Sequence, residues 1–247
     1  MTSEKCWMCG ELATTREHKI KKTDLKLMSR GVSFKKGDCL TKTLSNGKKS
    51  RIQGLDSKEV KYKKNLCGCC NNERSGPWDM AYETFMNFAY ENPRTIAKDR
   101  KINLKLVYGV NVKKAKVDLF KYFAKAFGCA INEKNDEVPS VIFDVINEKS
   151  FDGKIFFINI SMCEELLEKN PMLDGFAGCS NLESLNEKKS GKPVRYRWAQ
   201  NLGWLVISYS YNLKNIDGGI PWSGKSKSIE FSNFSILKID TVAGQSL

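Results

Sequence analysis

The chain has 247 residues, of which 41 are Lys or Arg and 28 are Asp or Glu, giving a net charge of +13. This length can bury a sizeable core without disulfides, and an odd number of cysteines, nine, with no signal-peptide pattern in residues 1–22 predicts a cytoplasmic protein with reduced thiols. The longest apolar stretches, 154–162 and 201–208, fall far short of the roughly 20 residues of a membrane-spanning helix, so no membrane association is expected.

Most of the positive charge lies in the N-terminal part of the chain. Residues 1–100 hold 21 basic and 12 acidic residues, a surplus of +9. Within them, residues 19–64 hold 15 basic and four acidic residues, a surplus of +11. Such a segment would attract a polyphosphate backbone and release its counterions. A solvated lysine-rich loop has the same composition, so charge alone leaves both interpretations open.

The first predicted elements form an elaborated hairpin. Residues 6–10 have the composition of a tight turn, and residues 14–20 that of a short extended segment. Residues 21–65 are polar and rich in turn residues, with short β-capable runs at 31–34 and 60–62. A long insertion between two strands is therefore expected.

A second cysteine-rich turn at 67–72 precedes apolar residues at helical spacing. This spacing predicts a helix at about 77–91, with an aromatic stripe that faces the core. Near residues 92–100 the sequence pattern changes to alternating strand-like and helical segments, which indicates a boundary between two regions. Beyond it the predicted elements are strands at 103–110, 141–145 and 154–160, helices at 117–127 and 162–169, and strands near 195–198, 202–211 and 229–238.

The cysteine spacing predicts a metal site. Two Cys-x-x-Cys pairs, Cys6/Cys9 and Cys67/Cys70, supply four thiolates from two turns, as a tetrahedral zinc site requires. Cys69 is a weaker candidate because its spacing fits less well, and buried or redox-active thiols are the alternative interpretation. A zinc ion held by four thiolates has no open position, so it would stabilise the fold without taking part in chemistry. The other cysteines are interpreted as small apolar residues: Cys39, Cys129, Cys163 and Cys179.

His18 is the only histidine of the chain, which excludes sites built from several histidines, such as an HExxH helix. A single histidine is more often a hydrogen-bonded structural residue than a catalyst. Here Glu17 precedes it, and Asn71 directly follows the second cysteine pair. This context favours a catalytic role for His18.

The order of these motifs resembles that of the HNH endonucleases. In that family a cysteine pair precedes an Asp/Glu-His step on a strand, and a Cys-x-x-Cys-His/Asn run opens the helix that completes a ββα fold. The matching segments here are Cys6-x-x-Cys9, Arg16-Glu17-His18-Lys19-Ile20 and Leu66-Cys67-Gly68-Cys69-Cys70-Asn71-Asn72-Glu73-Arg74-Ser75. The resemblance covers roughly residues 4–80. It departs from the commonest pattern in having Glu before the histidine, Asn as the last ligand and a long intervening segment.

The resemblance implies a zinc-stabilised ββα-metal module at 1–95, and the pattern of elements beyond it predicts a sheet-rich α+β region of unknown specificity, for substrate or partner binding, at 96–247. The predicted fold class is α+β. His18 would be the general base that activates water. Glu17 and Asn71 would bind one Mg²⁺ or Mn²⁺, which neutralises charge on the phosphate and the leaving oxygen. The implied activity is hydrolysis of phosphodiester bonds in DNA, with RNA left open. A role in phage defence or in a mobile element is a family-level expectation.

Several further positions receive roles from the same resemblance. Asn65, or less clearly Asn46 in an Asn-Gly turn, would orient the base. Asn72 would cap the helix or help to bind metal, and Asp79 would support the helix N-terminus. Arg74 fits a phosphate contact and a solvated helix surface equally well. The predicted nucleic-acid contacts are Lys19, Lys21, Lys22 and Arg74.

Two other functions also fit part of the sequence. A non-catalytic zinc-knuckle module that binds nucleic acid would explain the charge and the cysteines, but it would make the Glu17-His18 step a coincidence. A regulated subunit, whose sheet-rich region docks a protein partner such as an ATPase, is compatible with the nuclease interpretation.

Overall fold

A computed structural model describes residues 5–28, 41–43, 49–150, 152–169, 177–213 and 220–234 of the protein. The predicted run at 31–34, Cys39 and Asn46 lie outside these residues. The helices are α1 (Lys22–Met28), α2 (Gly76–Glu91), α3 (Pro93–Asp99), α4 (Leu104–Tyr108), α5 (Val112–Glu133), α6 (Ser140–Ile146) and α7 (Glu164–Lys169). The strands are β1 (Thr41–Thr43), β2 (Lys49–Arg51), β3 (Lys101–Asn103), β4 (Phe156–Cys163), β5 (Ala177–Cys179), β6 (Glu183–Asn186), β7 (Pro193–Leu202), β8 (Leu205–Asn212) and β9 (Ser228–Phe234).

The N-terminal region is an antiparallel ribbon that leads into a helix. Thr15 pairs with Leu66, and His18 pairs with Lys61. We call the paired segments, residues 14–19 and 60–66, the ribbon. A π-helical turn (Cys69–Arg74) follows and continues directly into α2, which confirms the helix predicted at about 77–91.

Helix α5 is the centre of the core. Its residues 118–131 are all buried, so it is covered on every side rather than along one stripe. On one side Tyr122 stacks on Tyr82 of α2, with ring centroids 3.9 Å apart. On another side Phe127 stacks on Phe156 of β4 and on Tyr209 of β8. The helix predicted at 117–127 is confirmed, and it extends further in both directions.

Seven strands form one sheet in the order β3-β9-β4-β8-β7-β5, and β6 also pairs with β7. The pairs are antiparallel except for β4 with β9, which are parallel. Along β7, buried residues alternate with half-buried ones, because alternate side chains of a strand point to opposite faces. The α+β class and the strands predicted near 154–160, 195–198, 202–211 and 229–238 are thereby confirmed for the described residues.

Two predicted strands are wrong. Residues 103–110 contain the end of β3 and then α4, because the side chain of Asn103 accepts the N–H of Lys105 at 2.9 Å and caps a helix. Residues 141–145 lie in α6, whose β-branched residues gave a strand-like composition. Its buried residues nevertheless recur at the spacing of one helical face: Val141, Ile142, Val145 and Ile146.

Helix α1 buries a carboxyl group against α2. Asp24 is 2 % exposed, and the hydroxyl of Tyr82 donates to its Oδ2 at 2.7 Å. Burial raises the pKa of Asp24 to about 7, although the Tyr82 hydrogen bond and nearby Lys21 act in the opposite direction. The Asp24 carboxyl therefore costs folding energy when it is ionised.

Buried apolar residues from Cys6 to Phe231 form one continuous core. The boundary predicted near 92–100 remains a prediction, and both predicted regions contribute side chains to this core. In the described part of the chain, every helix is too short or too polar to cross a membrane.

Candidate functional site

The four predicted zinc ligands meet in the structure. The sulfur atoms of Cys6, Cys9, Cys67 and Cys70 all lie within 4.8 Å of one another. The Sγ atoms of Cys9 and Cys67 are 3.6 Å apart, close to the edge of about 3.8 Å expected for four sulfurs at 2.3 Å from a tetrahedral zinc ion. The predicted cluster is confirmed as a group that fits such a metal, and Cys69 is exposed.

Local backbone geometry builds this cluster. Gly10 adopts a φ of +83°, a left-handed conformation that favours glycine, and its N–H donates to the carbonyl of Cys6 at 2.8 Å. The N–H of Cys70 donates to Sγ of Cys67 and lowers the pKa of that thiol, whereas burial raises the pKa of Cys70. A divalent cation would stabilise all four groups as thiolates.

Residues of α5 and α6 pack against Trp7 and hold the first cysteine turn in position. The indole N–H of Trp7 donates to Sγ of Cys129 at 3.4 Å, and the ring of Phe143 packs edge-on against Trp7. A Cβ at Gly128 would lie 2.5 Å from the Trp7 ring, so this contact requires glycine. The interpretation of Cys129 as a small buried residue agrees with its position, whereas the role of Gly128 had no signal in the sequence.

The ribbon fixes the backbone on both sides of His18. The N–H of Tyr62 donates to the carbonyl of Glu17 at 2.9 Å, and the N–H of Lys19 donates to the carbonyl of Val60 at 2.8 Å. The position of His18 is therefore set by strand pairing and not by a mobile loop.

The imidazole of His18 is oriented by a backbone carbonyl. Its Nε2 lies 3.0 Å from the carbonyl oxygen of Leu55, and because a carbonyl only accepts, Nε2 carries the proton. Burial lowers the pKa of His18, while the Leu55 contact and nearby Asp56 act to raise it. A neutral ring protonated on Nε2 presents a lone pair on Nδ1, which is the form that a general base needs.

Glu17 has protein partners on both carboxylate oxygens. Its Oε2 lies 2.8 Å from Nζ of Lys125, and its Oε1 accepts the N–H of His18 at 3.0 Å. Lys125 belongs to α5 and is 1 % exposed. Burial opposes its charge, but the carboxylates of Glu17 and Asp79 together hold the pKa of Lys125 above its usual range.

Asn71 lies in the π-helical turn that leads into α2 and directly follows Cys70 of the cysteine cluster. Its backbone N–H donates to the carbonyl of Cys67 at 3.1 Å, and its own carbonyl accepts the hydroxyl of Ser75 at 2.8 Å. Its side-chain Oδ1 is buried and has no hydrogen-bond partner among the described residues. A buried acceptor of this kind is costly unless a ligand satisfies it.

Glu17 and Asn71 are connected through one lysine. Nζ of Lys125 lies 3.1 Å from Oγ of Ser75, the same hydroxyl that donates to Asn71. It also lies 3.1 Å from Oδ1 of Asp79 in the first turn of α2. Sequence patterns gave no sign that Lys125 would lie beside Glu17.

The predicted orienting residue has a different partner. Asn65 is fully buried, and its side-chain amide donates to the carbonyl of Cys129 at 3.3 Å. The His18 ring instead donates its Nε2–H to a backbone carbonyl, that of Leu55. A backbone acceptor leaves no trace in the identity of a residue, so the sequence could not reveal it.

The four basic residues predicted to contact nucleic acid each have a partner within the chain. Lys19 lies 3.6 Å from Glu133, and Lys22 bonds to Asp56. Nζ of Lys21 lies 3.0 Å from Oδ1 of Asp79 and 3.6 Å from Oε1 of Glu83. The guanidinium of Arg74 donates to the side chain of Asn147 at 2.8 Å. Their contact with nucleic acid remains a prediction.

Comparisons with known proteins add no relative to this description. No family model matches the chain, and no curated protein or solved structure matches it significantly. Any function must therefore be argued from the geometry of its own residues.

Proposed function

We propose that this protein is a metal-dependent nuclease of the HNH type, which hydrolyses phosphodiester bonds in DNA. The observation that carries the proposal is the geometry of His18: the partly buried ring donates its Nε2–H to the carbonyl of Leu55, so Nδ1 is the basic atom of the neutral ring. The ribbon, the four-cysteine cluster and the helix that follows are elements that the resemblance also implies, and they support the proposal.

His18 would take a proton from the attacking water. A base that already points its proton-bearing nitrogen at a fixed carbonyl keeps one orientation during the reaction. The positive charge formed on the ring would be stabilised by Asp56, whose Oδ1 is 3.8 Å from Nε2. The charged ring would then release this proton to solvent, because the His18 side chain is only partly buried.

Asn71 and Glu17 both offer oxygen donors for a hard divalent cation, but only the Asn71 oxygen is without a protein partner among the described residues. The buried Oδ1 of Asn71 is an oxygen donor without a partner, which suits Mg²⁺ or Mn²⁺. Glu17 already has Lys125 and the His18 N–H on its oxygens, although a carboxylate offers about four lone-pair sites. Glu17 and Asn71 would hold the ion, which when bound neutralises charge on the phosphate and the leaving oxygen.

Cleavage of supercoiled plasmid tests the proposal. Purified protein is incubated at low salt with Mg²⁺, Mn²⁺ or EDTA, beside His18→Ala and the matched control Thr14→Ala, an exposed ribbon residue. We expect metal-dependent cutting by wild type and Thr14→Ala, and loss of cutting by His18→Ala that still contains zinc. Metal-dependent cutting that survives in His18→Ala would remove His18 as the base.

A non-catalytic zinc-knuckle module is the second candidate. The observation that favours it is the full engagement of Glu17, which suits a structural ion pair as well as a metal ligand. Binding of DNA without cutting, in every metal tried, would support this candidate, or a nuclease that needs a protein partner such as an ATPase subunit. A role in phage defence or in a mobile element belongs to the nuclease proposal.

A further inference from the structure

The ammonium group of Lys125 joins the two parts of the candidate site. We propose that Lys125 is a positioning residue, which holds Glu17 of the ribbon and the first turn of α2 in one fixed arrangement around His18. This inference rests on the proposed nuclease function. It adds to that function a residue from the predicted 96–247 region.

All three donors of the ammonium group are used. Nζ of Lys125 lies 2.8 Å from Oε2 of Glu17, 3.1 Å from Oδ1 of Asp79 and 3.1 Å from Oγ of Ser75. A lysine ammonium has three N–H donors, so each has an acceptor even though the residue is 1 % exposed. A fully bonded buried charge has few alternative positions, and its partners are therefore fixed relative to one another.

Two of these partners bond directly to the backbone of other candidate residues. The second oxygen of Glu17 accepts the N–H of His18 at 3.0 Å. The hydroxyl of Ser75 donates to the carbonyl of Asn71 at 2.8 Å. One ammonium thus connects His18 and Asn71 through a single intervening side chain on each side.

Loss of Lys125 would act mainly on Glu17. Asp79 keeps a second cation, because Nζ of Lys21 lies 3.0 Å from its Oδ1. The described contacts of Glu17 include no such replacement, so its carboxylate would lose its counter-charge. A buried carboxylate left without its partner moves toward solvent. This movement would release the N–H of His18 from Oε1 of Glu17.

Lys125→Met tests this role, with Lys121→Met as the matched control. Lys121 lies one turn earlier on α5, is also buried, and pairs with Glu148 away from Glu17. The readouts are kcat and KM for DNA cleavage with Mg²⁺, and the NMR signal of the imidazole ring at pH 8. Because His18 is the only histidine, this signal is unambiguous.

We expect Lys125→Met to lower kcat on the order of 10- to 100-fold, with KM unchanged and the imidazole signal shifted. Lys121→Met should change none of these quantities. Wild-type kcat and an unshifted imidazole signal in Lys125→Met would overturn the proposal. If wild type itself does not cut DNA, the nuclease function fails, while the imidazole signal still tests whether Lys125 positions His18.

Lys125→Arg provides the test if Lys125→Met does not fold. It keeps the positive charge, so Glu17 stays compensated, but a planar guanidinium cannot reproduce the three-way contact of the ammonium. A lowered kcat and a shifted imidazole signal at full zinc content would support positioning. Wild-type values of both would show that charge alone suffices and would overturn it.

Discussion

Gly128→Ala should loosen the cysteine cluster from a distance. The new Cβ would lie 2.5 Å from Cζ2 and Cη2 of Trp7. The ring has little room to retreat, because Nε1 donates to Cys129 and Phe143 packs against its face. Overpacking costs about 1–3 kcal/mol, and Gly to Ala in a helix regains up to about 1 kcal/mol. We therefore expect a net loss of about 1–2 kcal/mol in the free energy of unfolding.

Urea unfolding of the zinc-loaded protein measures this loss, and transfer of zinc to a chromogenic chelator measures the effect on the cluster. Gly76→Ala is the control, because Gly76 is also helical, as the first residue of α2, but a Cβ there meets no atom within 4 Å. It should be as stable as wild type or slightly more stable. Equal stability and equal zinc transfer in Gly128→Ala and wild type would refute the packing argument.

Two further predictions concern the zinc ligands and the buried carboxyl of α1. Cys67→Ser should lose bound zinc in elemental analysis, whereas Cys69→Ser, which changes an exposed thiol, should retain it. Asp24→Asn should be more stable than wild type at pH 8 by up to about 4 kcal/mol, because a pKa raised from 3.8 to about 7 makes the ionised form costly above pH 7. That cost disappears as the pH falls toward 4, so urea unfolding should show a smaller advantage at pH 5. An advantage of equal size at both pH values would contradict this origin.

The cysteine cluster and the helix after it could be predicted because their signals are local. Two Cys-x-x-Cys pairs carry the zinc geometry in their spacing, and the apolar residues of α2 repeat at helical spacing. The extended segment at 14–20 and the β-capable run at 60–62 also have local signals, whereas the pairing of residues 14–19 with 60–66 is a contact across a long insertion.

The contacts that complete the site are not local. Lys125 lies 108 positions after Glu17, and only the packing of α5 against the ribbon and α2 brings the two side chains together. The Leu55 carbonyl is a backbone atom, which any residue would provide. The strand predicted at 141–145 failed for a related reason: β-branched composition favours a strand, but packing against α5 selects a helix.

The most direct test of the account is the single-turnover rate of DNA cleavage by zinc-replete His18→Ala, compared with wild type at the same Mg²⁺ concentration. Removal of a general base typically costs on the order of 10²- to 10⁴-fold in rate. The account predicts a loss of this size with zinc content and DNA affinity unchanged. A His18→Ala protein that cuts DNA at the wild-type rate would contradict it.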